Sequence, residues 1–196
     1  MVVSLGIIFG FLLGGSQDAV TTDIGKALAA AALLRTEVVV TYDPSYRVLS
    51  YPGGDVPNNR GVCTDVVIRA FRKVGIDLQK LVHEDMLRAF SVYPRHWGLT
   101  KPDKNIDHRR VPNLQTFLSR HGKKLGLGRN TADYKPGDIV TWNVGAHGKI
   151  IPHIGIVTEK RSNATARPLV VHNIGSGPEL EDILFDYPMT GHYRYK

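Results

Sequence analysis

The chain has 196 residues, 42% of them hydrophobic, which is enough to bury one full core and excludes a disordered or fibrous class. Its formal charge of +7 and pI of about 9.6 favour anionic partners such as a cell-wall polymer. The Lys and Arg residues are dispersed rather than gathered on one basic helix interleaved with aromatics, so no nucleic-acid partner is expected.

Val2 to Leu13 is apolar or small without a charge, and Gly14 to Ala19 then turns small and polar, as a secretory signal does around its cleavage site. The run falls short of the roughly 20 apolar residues of a membrane span. Residues 1–19 are therefore expected to be a signal peptide. The lack of Lys or Arg before the apolar run leaves an uncleaved N-terminal anchor as the alternative. Residues 20–196 form a single domain with no stable membrane span, periplasmic or secreted. One cysteine allows no internal disulfide, so an exported chain carries an unpaired thiol that is either reactive or protected by burial.

The domain opens with a helix capped by Thr22 or Asp23, with Ile24, Ala27, Leu28, Ala31 and Leu34 as its apolar face. Val38–Val40 is a short extended run. Loops rich in Pro, Gly and aromatics follow, including Tyr51 to Pro57, where an aromatic such as Tyr51 lines a groove or simply packs.

The turn-forming Pro57-Asn58-Asn59-Arg60-Gly61 then delivers the chain to a helix whose apolar residues Val66, Val67, Ala70, Phe71 and Val74 keep helical spacing until Gly75 caps it. Cys63 stands at its start, where unpaired backbone N–H groups and the positive end of the dipole favour thiolate and offer part of an oxyanion site. The other reading of Cys63 is a small buried hydrophobe on the same stripe as Val67 and Ala70.

A second helix runs from an Asp77 cap through Leu78, Leu81, Val82 and Phe90 to Pro94, and a third from Pro112 through Leu114, Phe117 and Leu118 to Gly122. His83-Glu84-Asp85 lacks the two-His spacing of a helical zinc site, so no metal is expected there. The last third changes period. Asp138–Trp142, Ile151–Thr158, Leu169–Ile174 and Gly191–Tyr195 read as short antiparallel strands, and helices followed by strands argue α+β with the helices on one side of the sheet.

A hairpin centred between Ser162 and Asn163 puts His153 opposite His172 on one face, close enough for one imidazole to orient another. A one-residue slip turns His172 away and brings Asn173 round instead.

A Cys at a helix start, then Pro136-Gly137-Asp138-Ile139-Val140, then His153-Ile154-Gly155-Ile156-Val157, then a polar residue on the next strand, resembles the order in NlpC-type papain-like cell-wall cysteine peptidases. From about Val38 to Tyr195 the chain more closely resembles the bacterial family known as domain of unknown function 1287. The matching stretches are Tyr51–Asp55, Gly61–Arg72, Leu78–Asp85, Asn105–Phe117, Tyr134–Trp142, His153–Val157 and Pro168–Gly175.

The resemblance implies a papain-like fold, N-terminal helices on an antiparallel sheet, and a thiol amide hydrolase without cofactor. Cys63 is then the nucleophile, His153 the base and His172 its orienter, with peptidoglycan peptides or another amide as substrate. A thiol acyltransferase on the same site and a non-catalytic wall-binding protein are the alternatives. Where NlpC peptidases have Ser-Gly after the Cys, this chain has Thr64-Asp65, so Asp65 either steadies the first helical turn or sits near substrate. The segment from Leu78 to Leu118 is an insertion relative to small NlpC peptidases, placed to form a lid or restrict the groove.

Overall fold

The computed structural model describes residues 23–196, so the expected signal segment lies outside the described residues. Asp23 caps α1 (Ile24–Leu33), its side chain accepting the N–H groups of Gly25 and Lys26. The buried stripe of α1 is Leu28, Ala29, Ala31 and Ala32, while Leu34 is solvent-exposed. The stripe is turned from the expected one because the small alanines face α2.

The expected strand at Val38–Val40 is displaced: Val39 is exposed, and only β1 (Thr41–Tyr42) pairs, in parallel with β2 (Arg60–Gly61). Arg69 braces the intervening loop, donating to the carbonyls of Val56, Pro57 and Arg60 and pairing with Asp55.

Helix α2 (Cys63–Lys73) begins because Val62 is extended and Asp65, in the first turn, accepts the Val62 N–H at 2.7 Å. This is half a capping box, since Val62 has no side-chain acceptor to return the bond. Arg109 locks the start of the helix with a two-pronged pair to Asp65, Nε to Oδ1 and Nη2 to Oδ2 both at 2.9 Å. Both side chains are buried, and Arg109 also donates to the carbonyls of Asp43 and Ser45. One ion pair thus joins α2, the loop after β1 and the turn before α4. Past Val74, Gly75 takes φ +84°, the left-handed exit expected of it.

Helix α3 (Leu78–Ala89) is capped by Asp77 as expected, and α4 (Val111–His121) carries Pro112 in its first turn and stops at Gly122. Helix α3 packs against α2 and α4, and α1, α2 and α4 pack on one face of a six-stranded antiparallel sheet. Its strands are β3 (Lys123–Lys124), β4 (Ile139–Asn143), β5 (Pro152–Arg161), β6 (Pro168–His172), β7 (Glu179–Glu181) and β8 (Met189–Arg194), in the spatial order β3-β8-β4-β5-β6-β7.

Ile139, Ile154, Ile156 and Val171 point into the core with Val67, Phe71, Leu114 and Phe117. Val140, Trp142, Val157 and Val170 point the other way, under Leu184 and Phe185. The architecture is the α+β class expected, with helices segregated to one side. Strands β3 and β7 have no counterpart in the expected set, being too short and polar to show alternation.

The turn before β4 explains its Pro-Gly-Asp sequence. Gly137 has φ +85°, and a Cβ there would fall on the carbonyl of Gly25 in α1. Asp138, fully buried, accepts from the Lys135 N–H, His192 Nε2 and Arg194, clamping the turn to β8. Among the described residues no helix is long and apolar enough to cross a membrane.

The pair at the start of α2 yields a stability prediction. Asp65→Ala leaves Arg109 charged and unpaired in the interior, a change that costs about 3–5 kcal/mol. Urea unfolding followed by circular dichroism should show that loss; a loss below about 1 kcal/mol contradicts the role given to the pair.

Candidate active site

Strands β5 and β6 pair with Gly155 opposite His172, two residues away from the expected register: the hairpin turns later than expected, with Arg161 opposite Pro168, and an irregularity between Val157 and Arg161 takes back half of that displacement. A two-residue displacement preserves the face, so His153 and His172 still share one side of the sheet. Gly155 bridges the gap. A Cβ there would stand 2.7 Å from Val170 Cγ1 and 3.2 Å from His172 Cβ. Its absence leaves room for His153 Nε2 to reach His172 Nδ1 at 3.0 Å, with the two rings edge to face. Trp142, paired with His153 across β4 and β5, stacks on the ring at 5.8 Å between centroids and keeps it from water.

Cys63 takes the first position of α2, and the backbone N–H groups of Ile154, the residue after His153, and of Thr64 and Cys63 itself face its sulfur. It lies at the floor of a cleft of about 230 Å³ walled by Tyr42, Pro44, Trp97, Arg110 and Pro152. Trp97, Pro112 and Pro152 also line a larger cleft of about 710 Å³, which includes Gln115, Asn143 and Thr190. Part of the inserted segment therefore borders the groove: Arg110 stacks on Trp97 at 4.0 Å.

The other candidate residues lie elsewhere. Asp65 spends its carboxylate on Arg109 and the Val62 N–H, which is the structural role, and does not face the cleft. Tyr51 packs edge-on against His83 at 5.2 Å with the Lys104 ammonium over its ring, away from Cys63; the loop aromatic that reaches the cleft is Tyr42. Asn173 follows the end of β6, and its Oδ1 accepts from Gly175 and Gly177, so it shapes a turn and makes no hydrogen bond to His153.

Sequence reasoning missed Glu181 on β7. Its Oε2 stands 2.8 Å from His172 Nε2, out of line with the ring N–H, so the contact is electrostatic rather than a formed hydrogen bond. Its only sequence signal was a carboxylate a few residues past the second histidine, on a strand too short to recognise. The chain Glu181, His172, His153 decides the tautomers. A carboxylate beside His172 Nε2 favours a proton there, which makes Nδ1 the acceptor and puts the shared proton on His153 Nε2. His153 Nδ1 is then the nitrogen with a free lone pair.

Burial dominates the electrostatics. It pushes the Cys63 thiol up to about 12 against the opposing pull of the Ile154 N–H, and pushes His153 down to about 3, with His172 adding to the depression. His172 is also lowered by burial, a shift that Glu181 opposes. The helix start thus supplies N–H groups, as expected, but does not yield the expected thiolate: thiol and imidazole are both neutral at rest. Between the ordinary imidazole value near 6.5 and about 3, the unfolded chain binds a proton that folded His153 does not, so this group's contribution to stability falls as pH falls through that window. Nitrogen-15 NMR of the imidazoles should find His153 neutral at pH 5; a protonated ring at that pH overturns the assignment.

A family model described as a domain of unknown function (DUF1287) matches residues 29–195. The uncharacterized protein YijF of Escherichia coli (strain K12) is 53% identical over 169 residues, covering 86% of this chain and 80% of that protein. Among solved structures, NlpC1 of Trichomonas vaginalis aligns at TM-score 0.48 and 15% identity over 87% of this chain, which spans 44% of that protein. An N-acetylmuramoyl-L-alanine amidase from Bacteroides uniformis aligns at TM-score 0.50 and 12% identity, covering 87% of this chain and 97% of the other. The papain-like α+β arrangement, a cysteine-bearing helix laid on an antiparallel sheet, is thereby placed, and the chain belongs to the DUF1287 family.

Proposed function

We propose that the protein is an exported thiol-dependent amide hydrolase that cuts peptide amides of peptidoglycan. The observation that carries this reading is the chain of contacts Glu181, His172 and His153, with the backbone N–H that follows His153 facing the sulfur of Cys63 at the foot of an open cleft. Two neutral partners suit a general-base mechanism. As the Cys63 sulfur attacks the carbonyl carbon, its proton passes to His153 Nδ1, and the oxyanion forms against the N–H groups at the start of α2. The C–N bond then breaks, His153 returns the proton to the leaving amine, and water, activated by the same nitrogen, hydrolyses the thioester. The imidazolium that appears in between is stabilised through His172 by the charge on Glu181.

Two features support the substrate class. The cleft at Cys63 has a larger one beside it that shares Trp97, Pro112 and Pro152 with it, and the Bacteroides protein of similar fold is named an N-acetylmuramoyl-L-alanine amidase. Purified peptidoglycan incubated with the protein should release products that mass spectrometry identifies. Cys63→Ala and His153→Ala should both abolish release. His172→Ala should cost less, and Glu181→Gln about tenfold in kcat, the size of a ~1.4 kcal/mol loss in stabilising the imidazolium. Full release by folded Cys63→Ala would leave wall binding without chemistry as the function. An acyl-enzyme that passes to an added amine faster than to water would make the protein an acyltransferase.

Export rests on Val2–Leu13 and the small residues after it. Amino-terminal sequencing of the protein from the cell envelope should find a start between Ser16 and Thr21, and an intact Met1 in a cytoplasmic pool overturns this.

A further inference from the structure

We propose that the concave surface between α1 and the C-terminal half of α2 is a binding site for a phosphate group. It is a cleft of about 470 Å³ around which Arg35, Arg69, Arg72 and Lys73 face a single carboxylate, Asp55. Asp55 is already taken, by Arg69 Nε at 3.0 Å and Arg72 Nη1 at 2.7 Å. Arg35 has no ion pair with an acidic residue among the described residues. Its Nη1 and Nη2 donate to the side chain and carbonyl of Asn58 at 2.8 and 3.2 Å, and its Nε is shielded from solvent without an acceptor, as is the Nε of Arg72. The Lys73 ammonium forms no ion pair or hydrogen bond among the described residues and is exposed.

Cations gathered around a concavity repel one another. Burial and the neighbouring Arg69 both work against the charged form of Arg35, and Asp55 only partly offsets them. An anion in the cleft relieves that repulsion. The donors are also pre-set: Asn58 holds the Arg35 fork, while Asp55 and the Gly54 carbonyl hold that of Arg72, so little side-chain freedom is lost on binding. The second N–H of each Nη on the two guanidiniums, with an ammonium, can meet tetrahedral oxygens, and the excess of positive charge favours a doubly charged group over a carboxylate. Arg69 to Lys73 lie roughly 9–15 Å along α2 from Cys63, at 1.5 Å per residue, so the site is separate from the catalytic cleft and independent of the function proposed for it.

The phosphate can be free or the headgroup of an anionic phospholipid, and two probes separate these sources. The full chain would be titrated with inorganic phosphate by calorimetry and thermal unfolding, and sedimented with phosphatidylglycerol vesicles against phosphatidylcholine ones. Phosphate at ten times its Kd should raise Tm by roughly 3–6 °C. Arg35→Gln/Lys73→Gln should weaken binding at least tenfold, while Lys123→Gln/Lys160→Gln, which removes the same charge elsewhere, should not. Lys73→Gln alone, on an exposed side chain, serves if the double variant misfolds and should weaken binding several-fold. Binding of vesicles but not of phosphate, lost in the same variants, assigns the headgroup. Binding of neither probe, or equal loss in the control variant, overturns the proposal.

Discussion

The structure depends on the buried pair between Asp65 and Arg109. A helix that starts abruptly leaves its first N–H groups unpaired and its first turn free to fray. Here one carboxylate accepts the Val62 N–H from within the helix and holds an arginine that also ties down the carbonyls of Asp43 and Ser45. Cys63 is thus fixed in three directions, against the loop after β1, the turn before α4 and the edge of β5. A buried ion pair is weak evidence of net stability, because desolvation offsets much of its attraction. What it supplies is position: the sulfur is set beside the peptide that follows His153.

That position has an electrostatic consequence. The same packing that fixes the thiol and the imidazole removes the water that would stabilise their charges, and burial overrides the helix dipole at Cys63. Burial therefore favours the neutral form of both groups. The relay of this site is graded in exposure: His153 and His172 are buried, whereas Glu181 is 41% exposed and keeps its charge in contact with solvent. A charged residue at the wet end of a dry relay stabilises a cation forming at the dry end without itself bearing the full cost of burial.

The sequence made much of this legible, for physical reasons that differ by residue. Cys63, Asp77 and Gly75 were readable because helix ends have chemical signatures that act within a few residues. The shared face of His153 and His172 survived a wrong register because a strand repeats every two residues, so an error of two changes partners and not sides. Asp65 stood equally for a structural and a substrate role, since its partner Arg109 lies 44 residues on and no local pattern announces it. Tyr51 was misplaced because an aromatic in a loop gives no direction, and β7 was invisible because three polar-edged residues carry no alternation. Glu181 was hidden with it.

The inserted segment sets what can reach the thiol. Trp97 belongs to both clefts, and the Arg110 guanidinium lies on its ring while reaching Asp107 at 3.3 Å, so the indole is held by stacking and the arginine by an ion pair. Each supports the other at the wall of the thiol cleft. The wall carries a cation, so an anionic group in the cleft gains an attraction that a neutral one does not. That selectivity by charge lies in the segment between α3 and α4, apart from the two histidines and Glu181 on the strands.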